Sequence, residues 1–302
     1  MQMINRNESP PKVSVCVLAF NHASYVRQCL QSIVDQETNF DFEVIVAEDC
    51  SEDGTREIVK EFALRYPDCI RAVFNEKNLG GSANFLNAHS LARGEYIAQM
   101  DGDDYALPGK LQAQSDYLDK HPECNFVWHR MYVLNEATGA MAEDLIRFEH
   151  LPKNGFTRGD MLRYITIGGN SSKMYRAKVR DFEIPPFPVL DFFINVEQIG
   201  NGTAAFVGDK PLMVYRAGIG IASRGNFIKV LIKESLLYFA SKYPDYSVQI
   251  STAAIGRLAV ATLNRSWGDF WLYAGLLVRV FRIGSVRDIL RHWNFLMMFR
   301  LP

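Results

Sequence analysis

The chain has 302 residues, 48% hydrophobic and 22% charged, which suits one large globular domain or a domain with an extension and excludes a disordered or low-complexity protein. The net charge of −1 hides an asymmetry: residues 227–302 carry ten Lys/Arg against four Asp/Glu, a net of +6, leaving −7 for residues 1–226 and suggesting a basic tail with a partner of its own. No run approaches the roughly 20 apolar residues of a membrane-spanning helix. "MQMINRNESPPK" lacks the apolar core of a signal peptide, and the five cysteines (Cys16, Cys29, Cys50, Cys69, Cys124) form no CxxC pair, so a reduced, cytoplasmic setting without structural zinc is expected.

In chain order, "VSVCVLAFN" (13–21) is a β-rich apolar run, followed by helical spacing of Val26, Cys29, Leu30, Ile33 and Val34 behind Ser24, an expected N-cap. The pattern recurs. "FEVIVAED" (42–49) precedes a helix bearing Ile58, Val59, Phe62 and Tyr66; "IRAVFN" (70–75) precedes one from about Ser82 to Arg93; "YIAQMD" (96–101) precedes one opening near Pro108. Four such βα units predict an α/β, mainly parallel sheet covered on both faces. Further on, "NFVWHRMYVL" reads as a strand, "GDMLRYI" as a short helix, "SSKMYRA" as an edge strand and "DFFINVEQIG" as a helix ended by Gly200. From Phe227 onward the chain is helical and aromatic, without a repeat.

In a parallel sheet, ligands bind beyond the carboxyl ends of the strands, where "AFNH", "EDCSEDGT", "NEKNLGGSAN" and "DGDD" converge. Three aspartates in four positions, Asp101, Asp103 and Asp104, repel one another unless a divalent cation neutralises them. Mg²⁺ or Mn²⁺, completing its shell with water and phosphate oxygens, fits such a cluster and stabilises a diphosphate leaving group. Asp101 and Asp103 are the natural pair. Asp49, ending the second strand, is placed to accept from an imide N–H, with Phe20 as a stacking face, a combination suited to uracil or thymine. Gly80 and Gly81 permit close backbone approach, for a ligand or for a plain turn. Neither GxGxxG nor GxxxxGK[ST] occurs, which disfavours a dinucleotide fold or a P-loop NTPase. His22, His89 and His129 lack ligand spacing and read as surface or hydrogen-bonded histidines.

"VSVCVLAFNHASYVRQCLQSIVDQ", "FEVIVAEDCSEDGT", "NLGGSANFLNAHSLARGEYIAQMDGDD" and "LPGKL" together resemble the family 2 glycosyltransferases of the GT-A fold, strongly over residues 12–125 and more loosely to about 222 through "GGNSSKMYR", "LDFFINVEQIGNG" and "PLMVYRAG". The resemblance implies an inverting transfer of a sugar from a nucleotide diphosphate donor, such as a UDP-sugar, to an acceptor hydroxyl. A glycan or polyprenyl-linked glycan of O-antigen, capsule or exopolysaccharide synthesis is the expected acceptor, and no nucleic-acid partner is expected. It divides the chain into a tail (1–11), a GT-A catalytic domain (12–226, with 12–125 binding nucleotide sugar and 126–226 the acceptor) and a helical extension (227–302).

Matched by position, Phe20 and Asp49 fall on the nucleotide-base positions, and Asn21 joins the nucleotide-sugar set. Asn84 lies in the donor-lining segment, Asp101 and Asp103 form the DxD pair with Asp103 as direct metal ligand, Asp191 takes the general-base position and Arg216 faces the diphosphate. Two departures stand out: relatives often read YR-x-H where this chain has "YRAG", with Gly218 in place of the histidine, and the usual acidic pair at the base position is a lone aspartate after Leu190. Glu197 and Asp181 are the other acids considered for the base, and an ordinary N-cap is the bland role for Asp191.

The rival expectation is a non-catalytic GT-A relative that binds nucleotide sugar or glycan. A sugar-nucleotide pyrophosphorylase is disfavoured because "AFNHASY" lacks a glycine-rich basic signature. In the tail, Trp267, Phe270, Trp271 and Tyr273 with Arg279, Arg282, Arg287, Arg291 and Arg300 suggest either a helical cap on the domain or a segment lying in an anionic membrane interface at the inner face of the cell membrane.

Overall fold

A computed structural model describes residues 9–219 and 225–298. Short apolar runs make the strands and 3.6-residue spacing makes the helices, in the order β1 (Val13–Ala19), α1 (Val26–Val34), β2 (Phe42–Glu48), α2 (Thr55–Arg65), β3 (Ile70–Phe74), α3 (Gly81–Ser90), β4 (Tyr96–Asp101), β5 (Tyr105–Ala106) and α4 (Lys110–Lys120). Then follow β6 (Cys124–Asn135), β7 (Met141–Glu143), α5 (Arg158–Tyr164), β8 (Met174–Arg176), α6 (Asp191–Gln198), β9 (Thr203–Ala217), α7 (Gly225–Lys242), α8 (Ser247–Leu263), α9 (Trp267–Val280) and α10 (Gly284–Met298).

The strands join one sheet in the order β3-β2-β1-β4-β8-β6-β9-β5, with β7 on β6. β3, β2, β1 and β4 run parallel, as do β6 and β9, while β8 is antiparallel to β4 and β6. The sheet is therefore mixed and mainly parallel, with helices on both faces. β1 shows how: Val13, Val15, Val17 and Ala19 face the core under α1, α2 and α4, whereas Cys16 faces the opposite core with Phe85 and Ala88 of α3. That second core runs without a break into α5 to α9. Phe193 of α6 and Phe239 of α7, both fully buried, stack at a centroid distance of 4.7 Å. Arg163 of α5 pairs with Asp288 of α10 at 2.8 Å, and Lys242 of α7 with Glu197 of α6 at 3.0 Å, so the C-terminal helices are packed on the sheet's helical layer.

Two expectations about local structure need correction. Ser24 does not cap α1, because the preceding turn is held from elsewhere: His22 and Ala23 donate their N–H groups to Thr55 Oγ1 and Asp53 Oδ2. β8 is interior rather than an edge, since Met174 and Tyr175 are buried and ladders form on both sides. "TAAFVGDKPLMVYRA" is one continuous 15-residue strand, its polar "GDK" lying at an exposed stretch. Among the described residues no helix is long and apolar enough to cross a membrane.

Candidate active site

Parallel pairing of β3, β2, β1 and β4 brings their carboxyl ends to one edge, so Phe20 and Asn21, Asp49, Asn75 to Gly81 and Asp101 to Asp104 rim a common cleft. Phe20 is half-buried where β1 ends. Asn21, with a left-handed φ of 54°, donates its N–H to Ser51 Oγ at 2.9 Å and accepts from Glu52 N at 3.1 Å, stitching the first loop to the second. Asp49 is 2% exposed and accepts three hydrogen bonds, from Asn75 Nδ2 (2.8 Å), Leu79 N (2.8 Å) and Gly80 N (2.9 Å). A carboxylate offers about four acceptor positions, and these bonds fill three of them. Asn84 supports the same loop, accepting from Asn75 Nδ2 at 2.9 Å and donating to Ala47 O at 3.0 Å. Gly80 is required there by its φ of 81°.

The aspartate turn is built the same way. Gly102 N donates to Leu18 O, and Asp104 N to Asp101 O. A Cβ on Gly102 would meet His22 Nδ1 at 2.8 Å, so glycine keeps His22 close. The Asp101 carboxylate accepts from Gln99 Nε2 at 3.0 Å. Burial, then the fields of Asp103, Asp104 and Asp191, push its carboxyl well above the ordinary range. Asp104 accepts from the Arg216 N–H at 3.0 Å and is raised to about 7, first by burial and then by Asp103. Asp103 is 6% exposed, and its Oδ2 lies 3.9 Å from His22 Nε2.

Arg216 is buried against this turn. Its guanidinium donates to the Asp103 carbonyl and to Gln28 Oε1, pairs with Glu136 at 2.6 Å and sits about equally between the rings of Tyr25 (5.0 Å) and Tyr105 (4.9 Å). Beside it opens a cleft of about 490 Å³ lined by Tyr25, Asn135, Glu136, Ala137 and 217–219. Gly218, at φ 93°, holds a backbone geometry that a histidine side chain strains.

Asp191 is the first residue of α6, with Leu190 at the N-cap position, so it is not the cap itself. It stays accessible to water although protein crowds round it; burial raises its carboxyl and Lys173 lowers it. Its field is felt at Asp101, so the two carboxylates lie near each other. Lys173, 4% exposed, donates to Asn195 Oδ1 (2.5 Å) and Gln198 Oε1 (2.6 Å), lies 4.4 Å from the Phe126 ring centroid and is lowered to about 7 by burial. Glu197 is committed to Lys242 and the Tyr243 hydroxyl, and Asp181 to Arg180.

Among the described residues no three His, Cys, Asp or Glu side chains converge into a ready-made metal centre. Two do meet: with metal–ligand bonds of about 2.1 Å, Asp103 Oδ2 and His22 Nε2, too far apart for a hydrogen bond, are close enough to share one cation completed by water and phosphate oxygens. His22 Nδ1 is buried without a hydrogen-bond partner, a feature of a side chain not positioned for hydrogen bonding alone. His89 and His129 are buried and hydrogen-bonded, to Tyr175 and Gln99 and to Lys110 and Arg130, as expected. His22 is the residue that sequence reasoning passed over. Its one signal was position, three residues after the buried end of β1.

The family model described as "Glycosyl transferase family 2" matches residues 14–180. An uncharacterized Mycobacterium tuberculosis protein, Rv1520, is 34% identical over 206 residues, 68% of this chain and 58% of its own length. A putative teichuronic acid biosynthesis glycosyltransferase, TuaG of Bacillus subtilis, is 29% identical over 178 residues, covering 58% and 66%. The chain thus spans a little over half the length of the mycobacterial relative. Among solved structures, S. aureus TarS 1–349 in complex with UDP-GlcNAc superposes with a TM-score of 0.66 at 18% identity, over 95% of this chain and 88% of that one. The mannosyltransferase PcManGT from Pyrobaculum calidifontis, in complex with GDP-Man and Mn²⁺, gives 0.55 at 18% identity over 96% and 86%. These two likenesses show the fold.

Proposed function

The chain belongs to glycosyl transferase family 2 and has the GT-A fold, and from that premise we propose that it is an inverting transferase moving a sugar from a nucleotide diphosphate donor to an acceptor hydroxyl. What supports the reading is the nearness of Asp191, at the start of α6, to the Asp101–Asp104 turn, close enough for its charge to raise the Asp101 carboxyl. A non-catalytic binder has no need of a further carboxylate beside that turn.

In this mechanism Asp49, Phe20 and Asn21 line the nucleotide base, Asn84 holds the loop beneath it, and Asp103, with Asp101 and His22 beside it, would hold a Mg²⁺ or Mn²⁺. The cation, when bound, supplies positive charge to the departing diphosphate. Arg216 fixes the turn by gripping the Asp103 carbonyl. Asp191 takes the proton of the acceptor hydroxyl as the oxygen bonds to the anomeric carbon and the carbon–oxygen bond to the diphosphate breaks on the opposite face, inverting the centre. Lys173, anchored by Asn195 and Gln198, lowers the Asp191 carboxyl and so keeps more of it in the ionised form a base requires.

We assign the donor to the UDP-sugars, because Asp49 keeps an acceptor position for an imide N–H and because TarS, the better-superposing fold, was captured with UDP-GlcNAc. A lipid-linked glycan of surface polysaccharide synthesis is the assigned acceptor, supported by TuaG's name, and the protein then works as a peripheral protein at the inner face of the cell membrane. A panel of nucleotide sugars with Mn²⁺ or with EDTA tests the reading. One UDP-sugar raising the melting temperature and being turned over only with the cation supports it, since a ligand that binds the native state stabilises it by mass action. Protection by a sugar nucleotide without any turnover, on hydrolysis or on transfer, would return the protein to the binding class.

A further inference from the structure

The C-terminal helices carry a surface that has no part in the proposed catalysis. Eight of the sixteen exposed large hydrophobic side chains among the described residues lie between Leu263 and Leu290. They follow one rule. At about 100° per residue, Trp267, Trp271 and Val278 of α9 fall within an arc of about 40°, and Arg279 lies about 80–120° round from them. Tyr273, Leu276 and Val280, which α9 buries, occupy the opposite side. In α10 the pattern repeats: Val286 and Leu290 are about 40° apart, Arg287 and Arg291 lie along one side of them at about 100° and 140° from Val286, and the buried Ser285 and the paired Asp288 lie on the far side. The linker between the helices exposes Phe281 and Ile283 as well.

Trp267 is 67% exposed, Trp271 71%, Val278 85% and Leu290 74%, values too high for side chains that merely edge a core. The acidic residues of these helices are turned inward: Asp269 pairs with Lys229 at 2.5 Å and Asp288 with Arg163 at 2.8 Å. Among the described residues no carboxylate pairs with Arg279, Arg287 or Arg291, so the apolar stripes are rimmed by uncompensated positive charge. Arg300 lies outside the described residues.

We propose that the outer face of α9 and α10 is a docking surface for an anionic phospholipid bilayer, Trp267, Trp271, Val278, Val286 and Leu290 entering the interface while Arg279, Arg287 and Arg291 meet the headgroup phosphates. The inference deepens the proposed function and rests on its placing of the acceptor at a membrane. Both helices stay packed on the catalytic layer through α8 while they dock, so cap and membrane contact are one device. Tryptophan and arginine suit the depth at which apolar and ionic contacts change over.

The test uses the full chain in co-sedimentation with vesicles of phosphatidylcholine containing about a third phosphatidylglycerol, against pure phosphatidylcholine, without donor or metal. Binding to the anionic vesicles that weakens with added salt is expected. The triple variant Arg279→Gln/Arg287→Gln/Arg291→Gln should bind about 100-fold more weakly, from roughly fivefold per basic residue at an anionic surface. Trp267→Ser/Trp271→Ser should lose binding at every salt concentration. All five positions are solvent-facing, so an unchanged melting temperature checks that the variants fold. Equal binding to neutral vesicles, no binding to anionic ones at low salt, or a self-association abolished by the tryptophan variant in place of lipid binding would each overturn the proposal. Vesicle binding by a protein that transfers no sugar would leave the surface standing and refute the catalytic reading alone.

Discussion

Asp49→Asn separates two roles that the sequence runs together. Asp49 Oδ1 accepts from Asn75 Nδ2 and Leu79 N, and Oδ2 accepts from Gly80 N. Asparagine can keep its oxygen toward the first two donors but then turns an NH₂ group against the Gly80 N–H, deleting one bond and opposing two donors in a site only 2% exposed. A hydrogen bond to a charged group contributes about 1.5–3 kcal/mol, and an unsatisfied buried donor costs about 1–3 kcal/mol, so a loss of about 2–4 kcal/mol is expected after relaxation of the loop. For a chain of this size each kcal/mol lowers the melting temperature by about 2 °C, giving a fall of about 4–8 °C. The same change loosens the Leu79–Gly80 turn that leads into α3 and weakens donor binding. Thermal unfolding monitored by circular dichroism, with UDP affinity by calorimetry, measures both. A variant that melts within 1 °C of the wild type would refute the anchoring role and leave Asp49 as a ligand contact only.

Further outcomes follow from the site. Asp191→Asn should fold and bind donor normally while turnover drops by roughly 10²- to 10⁴-fold, as measured by steady-state transfer; wild-type turnover would remove Asp191 from the mechanism. Because burial raises the Asp191 carboxyl above its ordinary value, kcat should fall on acidification at a higher pH than for a free aspartate, and a fall no earlier than that of a free aspartate would contradict this. His22→Ala should weaken Mn²⁺ binding in the presence of UDP by about 10-fold or more, read by the loss of the free-Mn²⁺ electron paramagnetic signal, with little change in melting temperature; unchanged affinity would show that His22 is no ligand. Phe239→Ala, which empties the fully buried ring stacked on Phe193, should cost about 3–5 kcal/mol in denaturant titration and unfold α6 together with α7, whereas separate transitions would show two independent units.

The strand–helix alternation of residues 13–120 was legible because each strand is a short apolar run and each helix follows at 3.6-residue spacing. β8 was misplaced because "KMYR" carries charges at both ends; the structure buries Lys173 through Asn195 and Gln198 and bonds Arg176 to backbone carbonyls, so the charges mark interior polar contacts rather than an edge. Asp101, Asp103 and Asp104 could be singled out because like charges rarely cluster at the end of a buried strand. His22 could not, since its meeting with Asp103 depends on the loop after β1 folding beside a loop some 80 residues later, a contact that no local spacing encodes. Arg216 was found by resemblance, yet its place against the turn, held by Glu136, Tyr25 and Tyr105, arises from the closing of β9 along β6 and could be read only in three dimensions.

The central claim is that this cleft binds a nucleotide diphosphate sugar through a cation held at Asp103. Isothermal calorimetry of UDP into the wild type and Asp103→Asn, each with Mn²⁺ and with EDTA, tests it most directly. The wild type is expected to bind UDP with an affinity that EDTA weakens by at least 10-fold, and Asp103→Asn to melt normally but bind UDP with Mn²⁺ no better than without it, because an amide supplies no anionic ligand. Equal, Mn²⁺-dependent affinity in the two proteins would contradict it.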